Sequence, residues 1–339
     1  MRGFSMGLAL AVSLSLGCSE ATPQQVSIHD PVLAKQNGQY FLYSTGPGIT
    51  FYQSADLQHW TLAGRVFATE PDWAKQVAPG FNGHLWAPDI FHFQGKYYLF
   101  YSVSAFGKNT SAIGVTVSKS LNPADAEYGW TDQGIVLQSV PERDLWNAID
   151  PAVILDEAGE PWMSFGSFWA GLKLVRLDQS LTKVAQPEQW VTLAKANRPW
   201  PLADTEPGPA ELEAPFIYQK EGYYYLFVSY GKCCRGKDST YHMVVGRSKS
   251  LQGPYLDKDG KPMTEGGGTV LLKGTPDWPG LGHNSVYRLD GKDYLVFHAY
   301  EQADNGLQKL KITALDWQDG WPVVNPQDWL NYQSQLIQP

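Results

Sequence analysis

The chain has 339 residues, long enough for one large domain or two ordinary ones. Its 43% hydrophobic content excludes a disordered protein, and its 13 Trp and 18 Tyr suit a β-rich core or stacking on sugar rings. A net charge of −8, with Lys and Arg scattered rather than striped, argues against nucleic acid as a partner, and no protein partner is indicated.

Residues 1–17, MRGFSMGLALAVSLSLG, carry one Arg and then an apolar run from Phe4 to Leu16. That run is short for a bilayer span and suits a signal peptide. Cleavage after Ala21 gives a soluble product of residues 22–339. The alternative is a lipoprotein signal, SLSLGC, that leaves a lipid anchor on Cys18. Either route exports the chain to a secreted, periplasmic or surface location. No later segment has the length of a transmembrane helix.

From residue 30 onward a unit recurs five times: a polar lead-in residue, an apolar strand, a Gly-containing turn, an aromatic strand and a small-residue strand. The units begin DPVLAKQNGQYFLYS, PDIFHFQGKYYLFYS, DPAVILDEAGEPWMSF, EAPFIYQKEGYYYLFVS and HNSVYRLDGKDYLVFHAY. Stretches such as QYFLYS and KYYLFYS read as strands, and Asn37-Gly38 and Gln94-Gly95 as hairpin turns. No segment sustains a helical period; EPDWAKQ and PADAEYG offer single turns at most. Units of this size predict an all-β fold, a five-bladed β-propeller with four antiparallel strands per blade. A sandwich would not explain why similar residues recur at equivalent points of every unit.

Radial repetition brings the five lead-in positions, read as Asp30, Asp89, Asp150, Glu213 and His283, to one end of a shared axis. A single Asp-Pro reads as a turn or cap. Clustered carboxylates instead repel, which drives their pKa values apart and leaves one ionised and another protonated. Glycoside hydrolysis uses that pairing. A metal site would also accept several acids, but no dense local loop of oxygen ligands occurs. Cys233 and Cys234 are adjacent, which gives either two small buried residues or, after export, a vicinal disulfide. EGGGT at 265–269 lacks the Gly-Lys-Ser/Thr of a phosphate loop and reads as a turn in the outer part of the fourth blade.

The ordered set HDPV (29–32), WAPDI (86–90), NAIDPAV (147–153), FGSFWAGL (165–172), ELEAPFI (211–217), CCRGKDSTY (233–241) and GHNSV (282–286) resembles glycoside hydrolase family 43, in its arabinanase branch. The resemblance spans nearly all of residues 22–339. It implies inverting cleavage of α-1,5-L-arabinofuranosidic linkages in arabinan, by endo or exo action. Asp30 is then the general base, Glu213 the general acid, and Asp150 the carboxylate that orients the acid and raises its pKa. His283 matches a position that helps bind a central ion, often calcium, through water; the alternative is a His hydrogen-bonded to Asp30 or Asp150. No organic cofactor is implied. Asp89 is a structural carboxylate in this scheme. Trp86 and Phe106 are candidate sugar platforms, with core packing as the alternative for Phe106, and Asn147 and Ser167 are candidate partners of sugar hydroxyls. The competing readings are an arabinofuranosidase or β-xylosidase of the same family, and a sugar-binding propeller without catalysis. The second has no need of a paired acid and base.

Overall fold

A computed structural model describes residues 24–199 and 201–337; the expected signal peptide and Cys18 lie outside the described residues. Five antiparallel sheets stand around one axis as the blades of a β-propeller. Blade one runs outward through Val32–Gln36, Gln39–Ser44, Thr50–Ser54 and His59–Arg65. Blade two has His84–Phe93, Lys96–Val103, Ser111–Ser118 and Thr131–Ser139. Blade three has Ala152–Leu155, Pro161–Phe165, Leu172–Arg176 and Trp190–Ala194. Blade four has Leu212–Lys220, Tyr223–Tyr230, His242–Ser248 and Thr269–Leu272, and the Gly-rich run at 266–268 leads into its outermost strand. Blade five contributes Leu281–Leu289, Lys292–Glu301 and Leu307–Ala314.

The uninterrupted apolar strands have a simple cause. Side chains alternate across a strand, and a blade is covered on both faces by its neighbours. Tyr97, Leu99 and Tyr101 therefore pack toward blade one with Phe41, Tyr43 and Phe51. Tyr98 and Phe100, between them in sequence, pack toward blade three with Met163 and Phe165. The same division repeats around the ring, so the core is five wedges between blades rather than one central mass. At the hairpins, Asn37-Gly38, Gln94-Gly95, Glu221-Gly222 and Asp290-Gly291 all have both residues at positive φ, the type I′ geometry that matches strand twist.

Both ends of the described chain close the ring. Val26 and Ser27 lie along the open edge of blade five, with the Leu310 amide donating to the Val26 carbonyl at 3.1 Å. Gln335–Ile337 runs parallel to the outer strand of blade one. Before it comes a short helix, Pro326–Asn331, capped by Asn325 and too brief to leave a readable period in the sequence. Its Trp329 is buried beside Phe297 and Trp278. Among the described residues no helix is long and apolar enough to cross a membrane.

Candidate active site

Each inner strand has a left-handed residue, just ahead of it in blades one and three and at a break in its pairing near its start in the other three: Asp30 (φ 52°), Ala87 (44°), Asp150 (59°), Ala214 (56°) and His283 (49°). Pro follows in four cases and Asn284 in the fifth. This conformation is strained for a residue with a Cβ, more so before Pro, and persists because its surroundings fix it. The true register therefore differs from the predicted one. Ala87, not Asp89, is the counterpart of Asp30 and Asp150, and Glu213 stands one position ahead of its counterpart Ala214. The backbone twist before Pro sets the repeat, and the identity of the acid does not follow it.

The amide of each left-handed residue is held by the preceding blade. The Ala87 N–H donates to Thr45 Oγ1 (2.7 Å), Asp150 to Ser102 Oγ (3.1 Å), His283 to Ser229 Oγ (2.8 Å) and Asp30 to His298 Nδ1 (3.2 Å). Blade three offers Gly166 at this point, which has no side chain to give. There the Asp150 carboxylate takes over, accepting the Ala214 N–H on Oδ2 at 3.1 Å. That bond turns Asp150 toward Glu213, the neighbour of Ala214.

Asp30 is buried and surrounded by donors. Its Oδ1 lies 2.9 Å from His29 Nδ1 and 3.1 Å from His283 Nδ1, and Thr45 Oγ1 donates to Oδ2 at 2.5 Å. Burial alone would push its pKa up, but the imidazoles of His283 and His29 outweigh it and hold the carboxyl well below its usual range. Glu213 has the opposite setting. Burial pushes its pKa up and the Asp30 charge adds to this, against neutral hydrogen bonds from Tyr241 Oη to Oε1 and from Ser167 Oγ to Oε2, each 2.9 Å. Asp150 is pushed well up by burial and by the charges of Glu213 and Asp30. The Asp30 charge pushes both neighbouring carboxyls up, and Glu213 and Asp150 act on each other as a buried pair. One carboxyl is poised to accept a proton, and a buried pair beside it is biased to hold one.

The other predicted positions separate. Trp86 is half-buried and shares the place of Glu213, one residue before a left-handed position. Phe106 is 81% exposed, which excludes core packing for it. Ser167 spends its hydroxyl on Glu213. Asn147 is buried and its carboxamide oxygen accepts from Ser111 Oγ at 2.6 Å, so that oxygen is turned into the blade rather than toward a sugar. Asp89 is buried on the axis, accepts the Val153 N–H at 2.8 Å, and is pushed up to about 7 by burial. It lines an axial cavity of about 20 Å³ with Asp150, His283 and Asn284. Both side-chain polar atoms of Asn284 are buried there without a partner. Thr45, His29, His298, Tyr241 and Tyr300 went unrecognised in the sequence. His29 adjoins a predicted base, but the other four lie far in sequence from the acids they serve.

A propeller that presents an ionised and a protonation-biased carboxyl at one end of its axis has the equipment of a glycoside hydrolase. The chain belongs to glycosyl hydrolases family 43, whose family model matches residues 24–322. It is 58% identical over 324 residues to the extracellular exo-α-(1→5)-L-arabinofuranosidase ArbA of Cellvibrio japonicus, covering 95% of this chain and 92% of that one. With the extracellular endo-α-(1→5)-L-arabinanase 1 of Bacillus subtilis it shares 42% identity, covering 87% of each. Among solved structures, Cellvibrio cellulosa α-L-arabinanase complexed with arabinohexaose is 59% identical with a TM-score of 0.92, covering 93% of this chain and all of that one.

Proposed function

We propose that the protein is an exported, inverting hydrolase of α-1,5-L-arabinofuranosyl linkages in arabinan, acting from chain ends. The opposed settings of Asp30 and Glu213 carry this reading: three donor groups around one carboxyl, two neutral hydroxyls on the other. Asp30 takes the proton of the attacking water. Glu213 gives its proton to the departing glycosidic oxygen. Asp150, pinned by the Ala214 amide, presents its other oxygen to the sugar and shares the proton bias of Glu213. Chain-end action follows the relative of 58% identity, which is named as an exo enzyme, and export follows the extracellular relatives together with the apolar N-terminal run.

Asp30→Ala and Glu213→Ala should each reduce hydrolysis of linear arabinan by several orders of magnitude, with circular dichroism unchanged. Near-normal turnover in either would refute the assignment. Proton NMR of the first product should show inverted configuration. One short product should dominate from the start of the digestion; an early ladder of mixed oligomers would sink the chain-end mode.

The axial cavity suits an ion. It is lined by polar side chains as well as prolines, holds a body the size of a water molecule, and leaves Asn284 unpartnered beside His283 and Asp89. These residues would hold calcium, partly through water, and its charge would draw the Asp89 carboxyl back toward its ionised form. Dialysis against EDTA should release about one equivalent of metal and lower Tm, with calcium restoring it. An unchanged Tm and no metal by elemental analysis would count against the ion.

A further inference from the structure

The sequence leaves Cys233 and Cys234 without a task. In the structure a disulfide joins them, and Cys234 is exposed at the edge of the site rather than buried. Its backbone is left-handed (φ 62°), and its N–H donates to Tyr300 Oη at 2.7 Å. Tyr300 Oη lies 2.8 Å from His29 Nε2, and His29 Nδ1 lies 2.9 Å from Asp30 Oδ1. The Cys234 Sγ itself stands 3.9 Å from His29 Nε2.

A backbone N–H only donates, so the Tyr300 oxygen accepts from Cys234. That oxygen keeps a second lone pair and its own O–H, so it can hold His29 Nε2 whichever of the two carries the proton, and the ring is set with Nδ1 against Asp30. A disulfide between adjacent residues closes a small ring through their peptide bond, which removes backbone freedom where a left-handed residue must be held. We propose that the Cys233–Cys234 disulfide and Tyr300 are positioning residues for Asp30, acting through the ring orientation of His29. The proposal rests on Asp30 being the base.

The test uses the full chain, linear arabinan and dithiothreitol, which breaks the S–S bond by giving up two electrons and two protons and ends as its own cyclic disulfide. Reduction, the double variant Cys233→Ser/Cys234→Ser, and Tyr300→Phe should each lower kcat about five- to tenfold, the effect of one orienting hydrogen bond. KM should stay within about twofold, since no substrate contact is removed. Reoxidation should restore kcat, and the double variant should ignore the reductant, which assigns the effect to this pair. In Tyr300→Phe the reductant should cause no further loss. The proposal is overturned if reduction leaves kcat unchanged, if KM alone rises, or if the losses from reduction and Tyr300→Phe multiply. An inactive Asp30→Ala beside any of these outcomes leaves the catalytic reading standing; an active Asp30→Ala removes that reading itself.

Discussion

Asp30 has two oxygens, and their partners decide how it can act. Oδ1 takes an N–H from each of two imidazoles, which occupies both its lone pairs. Oδ2 takes one hydroxyl, from Thr45, so a single lone pair remains, and it is on this oxygen that a water proton would arrive. Glu213 is tuned more gently, and its tuning can be read kinetically. The Tyr241 hydroxyl stabilises the ionised form and so opposes the upward push of burial. Tyr241→Phe removes that opposition, and the pKa of Glu213 rises further. Because the acid works protonated, the alkaline limb of kcat/KM against pH should move to higher pH. A limb that stays in place, or moves down, would separate Tyr241 from the acid.

At the scale of the element, the repeating device is the lead-in turn with its amide fixed by the blade before. Thr45 does this for Ala87 while donating to Asp30. Since the amide occupies an acceptor site of the hydroxyl, its proton is directed to the carboxylate. Thr45→Val should cost about tenfold in kcat and about 1–3 kcal/mol of stability, because it strands a buried amide; Thr45→Ser should recover most of both. Equal losses in the two variants, read from kinetics and denaturant unfolding, would mean that the methyl group matters rather than the hydroxyl. The turns also show what was legible in advance. Alternation and Gly turns were enough for five units; repetition gathered Asp30, Asp89, Asp150, Glu213 and His283, and the family resemblance singled out Asp30, Asp150 and Glu213 among them. The register was misjudged at Asp89, because an acid attracts notice while the left-handed Ala87 leaves no mark. The partners stayed hidden for a different reason: His298 meets Asp30 across 268 positions and Tyr300 meets His29 across 271, and no local pattern encodes such a meeting.

Across the whole molecule, stability is distributed among five wedges, and the ring is sealed where its two ends overlap. Trp329 anchors the returning segment between blade five and its edge. Trp329→Ala should cost roughly 3–5 kcal/mol in guanidinium unfolding. Turnover at low temperature should be unchanged, since no catalytic group touches it; a loss below about 1 kcal/mol would mean that the returning strand is held by its backbone pairing alone. The overlap also has a bearing on when the enzyme becomes active. Asp30 belongs to the first blade, yet two of its three imidazoles come from the last. A chain emerging from a ribosome or an export channel carries the proposed base almost from the beginning but cannot complete that carboxylate's surroundings until residue 298 has arrived. With Asp30 as the base, catalysis would wait until nearly the whole chain has been delivered.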